Sequence, residues 1–157
     1  MTEFAEAFRA EVERTRTVPY PEGRYSGRGV VVCAGGWKQL PGAYVIARLL
    51  RWDDMRSRLP IEVWYIGDEG EYHPAFEGVT RGLGVTWRDA SAEVRKLGIR
   101  RTDRLRGWSL KPLVLTLSSY EQVIMLDQDC YPCREPEYLW DCPEIASKGA
   151  AFWPDND

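Results

Sequence analysis

The sequence has 157 residues, 44% of them hydrophobic and 29% charged, with a formal net charge of -3. That length and mix exclude a disordered chain and allow one domain that buries roughly 68–70% of its unfolded surface. The near balance of charge excludes a field that would hold nucleic acid by itself, and apolar runs such as Val30 to Ala34 are far shorter than the ~20 residues of a membrane span.

Taken in chain order, Thr2 stands where it caps a helix whose Phe4, Ala5, Phe8 and Val12 recur at helical spacing, with Glu6, Arg9, Glu13 and Arg14 on the other side. The start is acidic where a secretory signal is basic, and no sustained apolar core follows, so a cytoplasmic location is expected for the chain as it stands. Pro19, Pro21, Gly23, Gly27 and Gly29 then break regular structure. The expected division is an N-terminal helix and loop over 1–28 and a main domain over 29–157.

Val30 to Ala34 reads as a buried strand, Gly35-Gly36 as a turn, and Tyr44 to Leu50 as a helix. Ile61 to Ile66 predicts a second strand followed by the polar loop Gly67-Asp68-Glu69-Gly70-Glu71, and Gly84 to Trp87 a third. A helix is expected between Ser109 and Leu117, with Pro112 in its first turn, and a fourth strand over Gln122 to Leu126. A further apolar run covers Ala150 to Trp153. Strand and helix in alternation predict an α/β fold with a mainly parallel sheet, whose ligands bind beyond the carboxyl ends of the strands.

At such an end stands Asp127-Gln128-Asp129. The spacing alone says little, since Asp155-Asn156-Asp157 repeats it, but only the first pair follows a buried-looking strand. Carboxylates are hard ligands for Mg²⁺ or Mn²⁺, and an ion held by one or two of them completes its shell with phosphate oxygens. The competing reading is a pair of solvated aspartates in a turn. The acidic loop holding Asp68 has the same choice between a hydroxyl acceptor and ordinary surface charge. Cys130-Tyr131-Pro132-Cys133, with Cys142, has zinc-like spacing but no second pair beside it, and His73 is remote. Free thiols are the plainer reading.

Gly107 to Leu115, Ser118-Ser119 and Val123 to Asp129, in that order, resemble the signature of the α-mannosyltransferases related to fungal Golgi enzymes, glycosyltransferase family 71. Val30 to Gly36, Leu59 to Trp64, and Gly149 to Asp155 ending Phe-Trp-Pro-Asp fall in matching order, so the likeness spans roughly 29–155. The resemblance implies a GT-A fold, a nucleotide-diphosphate sugar donor with GDP-mannose favoured, an acceptor of unspecified kind, and Mn²⁺ or Mg²⁺ on Asp127 and Asp129. It places Gly35, Gly36, Asp68, Lys111 and Asp127 near the nucleotide, and Trp153 and Asp155 near the donor sugar. Glycines let backbone approach a nucleotide closely, and a lysine is a point charge for phosphate. Cys130 departs from the small polar residue common there, and the chain ends where the family's acceptor-binding part is expected to begin. The other readings are a nucleotide-sugar-binding fragment without catalysis, a cysteine-organised module, and a phosphatase of the haloacid-dehalogenase type. The last expects Thr or Val where Tyr131 stands.

Overall fold

The computed structural model describes residues 2–99, 102, 105 and 107–152. Helix α1 (Thr2–Arg16) forms as its periodicity predicts, yet residues 3–16 are all exposed, Phe4 and Phe8 included. The domain proper runs β1 (Arg28–Cys33), α2 (Gly36–Leu50), β2 (Ile61–Tyr65), α3 (Ala75–Thr80), β3 (Val85–Asp89), α4 (Ala90–Lys96), α5 (Leu110–Leu117), β4 (Gln122–Asp127) and α6 (Pro143–Lys148). Short 3-10 turns occur at Gly67–Glu69, Gly107–Ser109 and Pro136–Asp141. No helix among the described residues is long and apolar enough to cross a membrane.

The four strands form one sheet in the order β3-β2-β1-β4, and every pairing is parallel. This is the α/β, Rossmann-like arrangement expected of a GT-A fold. Alternation of side chains sorts the central strand between two cores. Val30 and Val32 pack with Leu40, Ile46 and Leu50 of α2 and Phe76 of α3, while Val31 packs with Trp64, Ala90 of α4 and Leu110 and Val114 of α5. Helix α2 buries Leu40, Ala43, Ile46, Ala47 and Leu50, a stripe at helical spacing. Removing its large members, Leu40, Ile46 and Leu50, from water stabilises the fold by about 1.5–3 kcal/mol each.

Helix α2 is longer than the Tyr44–Leu50 segment legible in the sequence and holds Pro41 inside it. Gly42, also inside the helix, has a packing reason: a Cβ there would run into the backbone carbonyl of Gln128. Helix and Asp-x-Asp turn therefore meet backbone to backbone. Strand β3 lies one residue later than Gly84 to Trp87 at its start and extends to Asp89, whose carboxylate caps α4 by accepting from the N–H groups of Ser91 and Ala92. Ala150 to Phe152 carry no regular structure, and Phe152 is exposed.

Among the described residues, one charged side chain lies fully inside. Glu62 of β2 is 1% exposed, and its carboxylate accepts from Trp64 Nε1 at 3.0 Å, Ser119 Oγ at 2.8 Å and Arg88 Nη2 at 3.2 Å. Those partners tie β2, β3 and the approach to β4 together beneath the second core.

Candidate functional site

The strand order reverses between β1 and β4, so the connections leaving their carboxyl ends part there and open a crevice. Register brings the two ends level, with Cys33 opposite Asp127. A cleft of about 360 Å³ occupies the position. It is lined by Gly35 and Gln39 after β1, Glu71 after β2, Trp108 and Lys111 at the start of α5, and Asp127 and Asp129 at the end of β4. A larger hollow of about 620 Å³ lies beside β3 and α3, but it gathers only Glu77 among carboxylates and lies off the strand ends.

Asp127 is the last residue of β4, and its carbonyl accepts from Cys130 N–H at 2.9 Å, closing the turn that presents both aspartates. The Asp127 side chain is about a third exposed and pairs through both oxygens with Lys111 Nζ, at 2.7 and 2.8 Å. The same ammonium sits 4.0 Å from the ring centroid of the exposed Trp108, a cation–π contact. Asp129 is exposed and has no hydrogen-bond or ion-pair partner among the described residues.

The glycine turn is not a bare cradle of N–H groups. Gly35 N–H donates to Gln39 Oε1 at 3.0 Å, and Gly36 N–H donates to the Glu71 carbonyl at 2.8 Å. Gly36 needs its freedom, with φ at +67°. Gly35 is required for room, because a Cβ there would collide with the Glu71 carboxylate. That carboxylate also accepts from Ile66 N–H at 3.0 Å, which fixes it in the cleft.

Asp68 sits elsewhere. Its oxygens take Arg95 Nη1 at 2.6 Å each and Thr102 Oγ1 at 2.6 Å, and these hydrogen bonds, Arg95 first, hold its carboxyl below the usual range. The acidic loop thus offers the cleft Glu71, three residues on, while Asp68 ties the loop to α4. Sequence reasoning named the loop but not this member. The signal was the glycine at 35, a residue small enough to admit a side chain from another loop. Trp153 and Asp155 lie outside the described residues.

The thiols do not converge. Cys130 and Cys133 are exposed, Cys142 donates to the Tyr138 carbonyl at 3.6 Å, and no group of three or more His, Cys, Asp or Glu side chains suited to a metal occurs among the described residues. Burial pushes the Cys33 thiol up to about 12, with Lys111 pulling it down and Asp127 pushing it further up.

Residues 27–157 match a protein-family model described as "Mannosyltransferase putative". The chain is 30% identical over 148 residues to the alpha-1,2-mannosyltransferase MNN2 of Saccharomyces cerevisiae, covering 92% of this chain and 24% of that protein. It is 31% identical over 130 residues to the alpha-1,2-mannosyltransferase MNN24 of Candida albicans, covering 82% and 17%. The alpha-1,2-mannosyltransferase MNN5 of Saccharomyces cerevisiae is 28% identical over 146 residues, with 88% and 23% covered. The chain spans about a quarter or less of the length of these curated relatives. No solved structure matches it at a significant level.

Proposed function

The chain belongs to this mannosyltransferase family, and from that premise we propose that its cleft binds a nucleotide-diphosphate sugar, GDP-mannose first among candidates, together with Mn²⁺ or Mg²⁺, for transfer of mannose to a hydroxyl of a glycan or other acceptor. The observation that carries the reading is the meeting of Asp127, Asp129, Lys111 and Glu71 at the one crevice the strand order creates.

The donor set fits a divalent ion of this kind. Two adjacent carboxylates supply hard oxygens, one of them without a partner among the described residues, and the other already holds a cation in the form of the Lys111 ammonium. With Glu71 held on Ile66 N–H and only the two aspartates adjacent on the turn, the rest of the shell falls to water and to phosphate oxygens, as Mg²⁺-like ions prefer. When bound, such an ion supplies charge neutralisation for the diphosphate that leaves as the sugar bond breaks. The chain's own groups do the remaining work. Lys111 lies within reach to donate to a phosphate oxygen, and the start of α5 behind it adds a favourable dipole for negative charge. Glu71, anchored on Ile66 N–H, is placed to accept from ribose or base donors. Trp108 offers an exposed face on the cleft's rim.

The test is thermal: the melting temperature of the 157-residue chain is followed with GDP or UDP, with and without Mn²⁺. Ligand at about a hundred times its dissociation constant contributes about 2.7 kcal/mol, so GDP with Mn²⁺ is expected to raise the midpoint by several degrees. Asp127→Ala and Asp129→Ala should each remove that rise. A wild-type midpoint indifferent to every nucleotide in the presence of Mn²⁺ sinks the reading.

A further inference from the structure

We propose that Lys111 couples the cation to the diphosphate: by closing both oxygens of Asp127 it makes the site a poor receiver of either ligand alone and a good one for the two together. The inference rests on the donor-and-cation reading above and concerns how that site is loaded.

The geometry sets up a competition. The ammonium lies 2.7 and 2.8 Å from the two Asp127 oxygens, so it holds the ground a divalent ion needs. An ion arriving alone must either leave the ammonium in place, with two cations on one carboxylate, or displace it from a half-buried pair and from the Trp108 ring at 4.0 Å. Both cost binding energy. A diphosphate arriving alone meets Asp127, Asp129 and Glu71, three carboxylates facing the same 360 Å³ cleft, and its attraction for Lys111 is offset by loss of the Asp127 pair.

Together the ligands exchange partners. Phosphate oxygens would take the ammonium and the ion would take Asp127 and Asp129, so that neither Lys111 nor the two aspartates would be left without an opposite charge. Lys111 has room for the move, since its side chain is about a quarter exposed. Gly107, in the left-handed region at φ +53°, begins the turn that carries Trp108. Lys111 is thus a positioning residue for Asp127 and a direct contact for phosphate. Couplings of this type between two ligands run from about 5- to 150-fold.

Calorimetric titration of the 157-residue chain tests it with Mn²⁺ alone, GDP alone and each in the presence of the other. Wild type should bind Mn²⁺ at least about tenfold more tightly when GDP is present. Lys111→Met should bind Mn²⁺ alone more tightly than wild type, bind GDP more weakly when Mn²⁺ is present, and show a coupling clearly smaller than wild type's, what remains being the direct contact of phosphate with the cation. Trp108→Ala, at an exposed ring outside the core, should move Mn²⁺ alone in the same direction by only about two- to fivefold, the worth of an exposed cation–π contact. It also serves where Lys111→Met fails to fold. Mn²⁺ and GDP both binding wild type but independently of each other overturns the coupling and leaves the donor site standing. Unchanged or weaker Mn²⁺ binding in a folded Lys111→Met or in Trp108→Ala also overturns it. No binding of nucleotide with Mn²⁺ by wild type overturns both readings.

Discussion

Two carboxylates flank β1, one on each neighbouring strand, and they live by different rules. Glu62 of β2 is 1% exposed and surrounded by three donors from three parts of the chain. Asp127 of β4 stands at the strand's end, about a third exposed, with one flexible lysine as its partner. A buried charge survives only when its oxygens are satisfied by groups that cannot leave. A charge meant to meet a ligand needs the opposite, a partner able to withdraw into solvent. The number and mobility of partners, more than the residue type, separate a structural acid from a binding one in this sheet.

The contrast breaks most visibly on stability. Glu62→Ala strands the indole N–H of the buried Trp64 and removes the only carboxylate paired with Arg88 among the described residues. Arg88 is 36% exposed and can be rehydrated, so the main cost is a buried donor left unpaired, about 1–3 kcal/mol, and urea unfolding should show a shift in that range. Asp127→Ala removes a pair whose members are 26% and 35% exposed, the kind of ion pair worth about 0–1 kcal/mol. Its unfolding midpoint without ligand should stay close to wild type even as its response to GDP and Mn²⁺ vanishes. Equal destabilisation by the two substitutions would erase the distinction.

Gly42→Ala probes what holds the binding side in place. The added methyl would meet the Gln128 carbonyl, so either α2 or the turn between the aspartates must shift. Overpacking of this kind costs about 1–3 kcal/mol. The expected result is a moderate loss of stability together with weaker binding of Mn²⁺ and GDP. Loss of stability with ligand binding intact would show that the turn is fixed by β4 alone.

That contact also marks where the sequence ceased to be readable. The Val30 and Ile61 strands, the helix after Gly107 and the Asp127 turn could be read locally, because each rests on side-chain period or on a turn residue within a few positions. Strand order could not, since nothing in the local pattern says that β4 lies beside β1, and it is the order that opens the cleft. Gly35 reads locally as a turn and nucleotide glycine, and Gly42 carries no local signal, because their partners, Glu71 and Gln128, are brought near only by the fold. Asp68 and Glu71 were indistinguishable as loop acids until Arg95 and Thr102 claimed the first. The cysteine spacing suggested a cluster, while the fold sends Cys142 to the Tyr138 carbonyl and leaves Cys130 and Cys133 at the surface.

The smallest effect is read from Cys33, which lies in register between Trp64 on one side and Asp127 on the other. Its thiol is pushed up to about 12, first by burial, while Lys111 lowers it and Asp127 raises it. The thiolate is the reactive form, so at pH 8 only about one Cys33 in 10⁴ is ready to react on that value. Brief iodoacetamide treatment of the native protein, followed by peptide mass spectrometry, should label the exposed Cys130 and Cys133 well before Cys33. The sign of each neighbour's effect then follows. Asp127→Asn removes a negative charge that favours the neutral thiol, so Cys33 should react faster. Lys111→Met removes the positive charge that favours the thiolate, so Cys33 should react more slowly. The raised value also means that the folded state keeps a proton the unfolded chain gives up near pH 9. Its contribution to stability is therefore intact below that pH and is lost as pH rises toward 12. Opposite responses to the two substitutions would place Cys33 in the field of the Lys111–Asp127 pair, and matching responses would show that it senses burial alone.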